Sequence, residues 1–222
     1  MEWYSAEKLQ QAWRYAKMDV RDDFVFDVID HADVKHNVDR AVSSLSAQLR
    51  DDLYYSAPLL RIGVPKNDHS VRPGTKIELV DLIVLYAIVQ QLAPLLDPSL
   101  CQSAYAYRLN PRAGRSGQPL FADATDPGAP EEDAEDGGTA DEAEVVVDFP
   151  YNWFVNWKPF HEAGKLAAEH YEHVAVTDIV AYFENISLGL LRETIKEQLG
   201  SQASDLVDRL FRLLEFWVSS DN

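Results

Sequence analysis

Cysteine is almost missing from this chain: Cys101 stands alone among 222 residues. A single thiol excludes an internal disulfide framework and fits a reducing compartment. As a lone thiol, Cys101 is expected to behave as a small buried apolar residue. Glycine-rich phosphate loops are absent too, since Gly114 to Gly117 is not followed by Lys-Ser/Thr. No Ser or Cys sits in a nucleophile elbow. The most apolar run, residues 82–89, is too short to span a bilayer and is bounded by Asp81 and Gln90. The opening Met1-Glu2-Trp3-Tyr4 has no basic region ahead of an apolar stretch. No secretory signal and no membrane partner are therefore expected, and the expected location is cytoplasmic.

Basic charge is scarce: 20 Lys and Arg stand against 37 Asp and Glu, a formal net charge of -17. Phosphate binding calls for a basic surface, so this total argues at first against a nucleic-acid partner. The charge is uneven, however. Residues 123–148 hold eleven acids and no base, and the remainder of the chain balances at -6. Residues 61–115 hold seven bases and four acids. A weakly basic segment beside a separate acidic tract says more than the sum does.

What is present fits a folded protein of one large or two small domains, with 46% apolar and 11% aromatic residues. Helical spacing over 5–17 puts Leu9, Ala12, Trp13 and Ala16 on one face, with Ser5 as cap. Phe24, Phe26, Val28 and Ile29 indicate a second short helix. A third starts near Asn37, with Val38, Ala41, Leu45 and Leu49 along one stripe. Residues 59–64 read as a strand ending at Pro65, and 72–79 as its returning partner, with Pro73 and Gly74 weakening the start. A long helix apolar on most sides follows over 78–96. Residues 110–148 are Gly, Pro, Ala and acid without periodicity and read as a disordered acidic insertion. Trp153, Trp157 and Phe160 open a further helix. A short strand is expected over 174–179. Helices are expected over 188–199, between Ser187 and Gly200, and over 203–217.

The most informative stretch for chemistry is 174–186, VAVTDIVAYFENI. A strand ending in Asp178 would place a carboxylate at a sheet edge, and carboxylates so placed suit magnesium, which prefers hard oxygen donors. Two-metal phosphoryl transfer needs several such oxygens, not one. On the residues alone, Asp178 reads first as a helix cap or surface acid, and Tyr182 and Phe183 as core aromatics. His170 and His173 lack the further ligands of a helical zinc motif and read as surface histidines. Trp153 and Trp157 read as helix core before they read as a base-stacking platform.

Residues 178–186, DIVAYFENI, resemble the first palm motif of reverse transcriptases. Ile62-Gly63-Val64-Pro65-Lys66 followed by Arg72-Pro73 resembles the fingers motif of that superfamily, where a Pro-Lys pair precedes Arg-Pro across a turn. Asp81 then opens a helix, as in group II intron and retron-type enzymes. Ser103-Ala104-Tyr105-Ala106-Tyr107-Arg108 resembles the next motif. The four matches fall in the family's order over about 58 to 200, closest to bacterial retron-like and defence-associated members. The resemblance implies an α+β fold of reverse-transcriptase fingers and partial palm, with N-terminal helices. The segments would be an N-terminal helical region (1–57), fingers (58–109), the acidic insertion (110–148) and the start of the palm (149–222). It implies RNA-directed DNA polymerase activity with magnesium as cofactor, an RNA template, a DNA primer and deoxynucleoside triphosphates. Asp178 and the Ile179 carbonyl would hold magnesium, and Phe183 would be the steric gate against a ribose 2′-hydroxyl. Lys66 and Arg72 would clamp the triphosphate, and Arg108 would contact the template backbone.

One departure from the family is plain. The second metal motif, an aromatic, one variable residue and two aspartates, does not occur downstream of Asp178; the pairs Asp22-Asp23 and Asp51-Asp52 lie upstream of the fingers. The expectation is an N-terminal portion that is inactive alone and needs a second protein segment to complete the palm. The alternative is a non-catalytic nucleic-acid-binding or protein-interaction module using the basic fingers or the acidic insertion.

Overall fold

The computed structural model describes residues 2–21, 28–65, 71–101, 104, 109, 153–175, 177 and 185–219. Contacts divide the chain into two units, residues 1–100 with 175–222, and residues 101–174.

The first unit is mainly helical. Helix α1 (Ala6–Arg21) starts at Ser5, whose hydroxyl accepts from the Lys8 amide at 3.4 Å. Its apolar stripe buries as the spacing predicts: Leu9, Ala12 and Ala16 are sealed from solvent and Trp13 nearly so. Helix α2 is described over Val28–His36, and Phe24 and Phe26 of the expected helix lie outside the described residues. Helix α3 (Val38–Arg50) buries Val42, Leu45, Ser46 and Leu49 along one face.

Strands β1 (Leu60–Pro65) and β2 (Val71–Lys76) form an antiparallel hairpin, with Leu60 opposite Lys76 and Pro65 opposite Val71. Proline is tolerated in β2 because neither strand of a two-stranded sheet is central. Gly74 is demanded by close packing: a Cβ there would lie 2.9 Å from Val64 Cγ2 and 3.2 Å from Ile62 Cγ1. The return strand stops at Lys76, short of the expected Leu79. Leu79 is instead buried as the first residue of helix α4 (Leu79–Leu96), where its side chain joins the core.

Helix α4 is the central element. It packs on α1, and on α6 (Leu188–Leu199) and α7 (Ser204–Ser219). Tyr15 of α1 stacks on Tyr86 of α4 with ring centroids 6.1 Å apart. Residues 79–99 are apolar and long enough to cross a membrane, unlike the 82–89 run taken alone, but more than half of that stretch is buried inside the protein. Burial against amphipathic partners marks it as a core helix. Pro94 removes the donor that would have bonded the Gln90 carbonyl, and a 3-10 turn, η1 (Asp97–Ser99), closes the element.

The start and stop expected for α6 are both found. Ser187 Oγ accepts from the Leu190 amide at 3.3 Å, and Gly200 takes φ 58° and ψ -127°, a conformation open to glycine. Helix α7 buries Val207, Leu210, Phe211, Leu213 and Trp217.

In the second unit, helix α5 (Trp153–His170) carries Pro159 in its interior and exposes Phe160 and Leu166. The acidic insertion, 110–148, lies outside the described residues.

Two expectations are corrected. The strand predicted over 174–179 is not formed at its described positions: Val174, Ala175 and Thr177 are in no strand and are exposed. Among the described residues the only strands are β1 and β2, and Val174, Ala175 and Thr177 join neither. Cys101 is exposed, not buried, because it follows η1 beyond the last packed turn of α4. The described residues make a predominantly helical α+β fold with one small sheet.

Candidate functional site

Arg72 is the one predicted site residue with a described position. It lies on β2, exposed, opposite Val64 and one pair in from the Pro65–Val71 end of the hairpin. Lys66 follows Pro65 directly but lies outside the described residues, as do Arg108, Asp178, Ile179 and Phe183. The hairpin therefore presents an arginine beside its turn, while the proposed magnesium ligands have no described geometry.

Sequence reading missed a tightly organised polar cluster among the described residues. Asp81, in the first turn of α4, is only 3% exposed. Its Oδ1 accepts from the Tyr54 hydroxyl at 2.5 Å, and its Oδ2 accepts from Ser56 Oγ at 2.6 Å and the Ala57 amide at 2.9 Å. Ser56 Oγ in turn accepts from the Trp217 indole N–H at 2.8 Å. A buried carboxylate is tolerable only with its lone pairs occupied, and three donors plus the positive end of a helix meet that need. Burial, then the bond to Asp81, raises the Tyr54 pKa well above the usual phenolic value, so the phenol stays a donor. The available signal was an acid opening an otherwise apolar helix, preceded by the hydroxyl pair Tyr54 and Ser56. What it could not supply was the pairing.

Next to this cluster lies a groove of about 380 Å³. Leu49, Val84, Ile88 and Leu213 line it together with Trp3, Tyr54, Tyr55 and Phe216. Arg209 and Arg212 also line it, but neither is uncommitted. Arg209 bonds Asp205 at 3.1 Å with its guanidinium 5.8 Å from the Trp3 ring centroid, and Arg212 faces Asp52 at 3.9 Å. Ser56, the serine in the lining, is engaged by Asp81 and Trp217.

Helices α6 and α7 are tied by a separate ion network. Arg192 bonds Asp208 and Glu215, each at 2.9 Å, and Lys196 bonds Asp208 at 2.8 Å. The Lys196 ammonium and then the Arg192 guanidinium hold the Asp208 carboxyl below the usual carboxylate range. Arg192 also lies 5.4 Å from the centroid of the buried Phe211 ring.

The described carboxylates do not assemble a magnesium site. Asp81 has both oxygens taken by O–H and N–H donors, and Asp208 is held by two cations. Among the described residues no three His, Cys, Asp or Glu side chains gather as around a metal ion. His170 and His173 are exposed, with His170 Nδ1 3.3 Å from the Leu166 carbonyl. Neither protein-family models nor curated proteins match this sequence.

Proposed function

We propose that this chain is the fingers and opening palm of an RNA-directed DNA polymerase acting in the cytoplasm. One observation carries the reading. The segment with Pro-Lys before the turn and Arg-Pro after it folds as an antiparallel hairpin, Arg72 is exposed beside that turn, and a long buried helix follows at once. The reverse-transcriptase resemblance requires that arrangement for a device that grips a triphosphate from one side.

In this reading Lys66 and Arg72 hold the phosphates of an incoming deoxynucleoside triphosphate, the lysine as a point charge and the arginine as a planar fork. Asp178 and the Ile179 carbonyl would hold magnesium, which would supply positive charge toward the triphosphate when the primer 3′-hydroxyl displaces pyrophosphate from the α-phosphate. Phe183 crowds a 2′-hydroxyl, and Arg108 steadies the backbone of an RNA template. A further protein segment supplies the aspartate pair of the second metal motif, so residues 1–222 alone bind triphosphate without turning it over.

The test is titration of residues 1–222 with a fluorescent deoxyadenosine triphosphate, with and without magnesium. Magnesium-dependent binding that weakens about tenfold or more in Arg72→Ala and in Asp178→Ala supports the proposal. Nucleic-acid binding indifferent to magnesium and to Asp178→Ala, with no triphosphate binding, would replace it with a non-catalytic binding module.

A further inference from the structure

The hairpin buries few apolar side chains of its own. Leu60 is 57% exposed and Val71 64%, and the one deeply buried strand residue, Val64, is not part of the main core cluster. Leu59, one residue before β1, and Ile77, one residue after β2, do pack against that core. The direction in which the hairpin projects is therefore set at its base. On the incoming side, the strap 54–57 carries the Tyr54 hydroxyl, the Ser56 hydroxyl and the Ala57 amide, all three donating to Asp81. On the outgoing side, Asp81 itself sits five residues beyond Lys76, in the first turn of the helix that receives the chain. One buried carboxylate thus bolts both stems together, and Trp217 ties α7 to the same point through Ser56.

We infer that Asp81 is a positioning residue for the β1–β2 hairpin, holding the Arg72 side of the turn at a set place relative to α4 and α7. Its consequence for nucleotide affinity rests on the polymerase reading above; its consequence for hairpin placement does not. A carboxylate suits this task better than a neutral side chain. It accepts three bonds at once, and its charge-assisted bonds are about twice as strong as neutral ones. An amide in its place presents one acceptor oxygen and turns an N–H₂ toward donors.

The experiment measures spin–spin distances in the 222-residue chain with Cys101→Ser as background. One label pair, Thr75→Cys with Glu193→Cys, spans hairpin and α6. A control pair, Glu7→Cys with Glu193→Cys, spans α1 and α6. In Asp81→Asn, and to a lesser degree in Ser56→Ala, the hairpin distance should shift and broaden while the control distance stays narrow. An unchanged hairpin distance in both variants overturns the inference, and so does equal broadening of both pairs, which would make Asp81 a general stabiliser only. The milder Ser56→Ala keeps the test open should Asp81→Asn not fold. A triphosphate titration on the same samples separates the two claims. With the polymerase reading correct, Asp81→Asn weakens binding about tenfold although it touches no phosphate. Absence of binding in the parent chain sinks the polymerase reading and leaves the distance result standing.

Discussion

The indole N–H of Trp217 donates to the hydroxyl of Ser56 at 2.8 Å, across 161 residues of chain. That bond links the last described helix to the strap that feeds the hairpin, and it meets there the buried carboxylate of Asp81. Trp217→Phe keeps an aromatic ring in the core and removes the bond, at a cost of about 1 kcal/mol. Asp81→Ala strips the acceptor from two hydroxyls and one amide and should cost roughly 2–5 kcal/mol. Urea denaturation midpoints measure both. Equal losses for the two variants would contradict the ranking.

Gln90 sits in α4 at 3% exposure, and neither its side-chain oxygen nor its nitrogen has a hydrogen-bond partner. A buried amide with both ends unmatched carries a desolvation penalty that an apolar side chain of similar shape does not. Gln90→Met should therefore raise stability by roughly 1–3 kcal/mol, read as a shift of the thermal midpoint upward. A downward shift would show that this amide serves a bound water or partner.

Tyr54 predicts behaviour at alkaline pH. Its folded-state pKa is raised, by burial first and the Asp81 bond second, so folding favours the protonated phenol. The contribution is whole below the ordinary phenolic value of about 10 and is lost as pH climbs beyond it. Stability of the parent should fall above about pH 10 more steeply than that of Tyr54→Phe, which has no proton to lose there. Parallel curves in denaturant melts at pH 9 to 11 would refute this, with the remaining tyrosines serving as internal reference.

Asp208 predicts the opposite limb. The Lys196 bond and then the Arg192 bond depress its pKa, so its contribution is present above the unfolded carboxyl value and lost as pH falls through the folded one. In Asp208→Asn the decline of stability below about pH 4 should be shallower than in the parent. Added salt should narrow the difference, because the carboxylate is near the surface. Identical acid limbs would show that the network adds nothing measurable.

Sequence-local chemistry was legible in proportion to how local it was. Ser187 and Gly200 bracket α6 because a hydroxyl acceptor and a positive-φ residue act within one turn of themselves. The stripe of Leu9, Ala12, Trp13 and Ala16 foretold the buried face of α1 for the same reason. The hairpin was legible through the apolar run that ends at Pro65, in spite of Pro73 and Gly74, although its return strand was drawn three residues too long. At Val174, Ala175 and Thr177 the strand expectation misled, because an apolar run states a preference for burial without naming a partner strand.

Spacing along the chain, with the chemistry of caps and turns, was enough to place the buried faces of α1 and α3, the ends of α6 and the pairing of β1 with β2. Tertiary structure alone decided that Asp81, one acid among many, would meet Tyr54, Ser56 and Ala57 from 24 to 27 residues away, and that Trp217 would join them. No periodicity encodes such a meeting. It arises when α4 is enclosed by α1 and α7, so that a carboxylate removed from water must take whatever donors the enclosure brings to it.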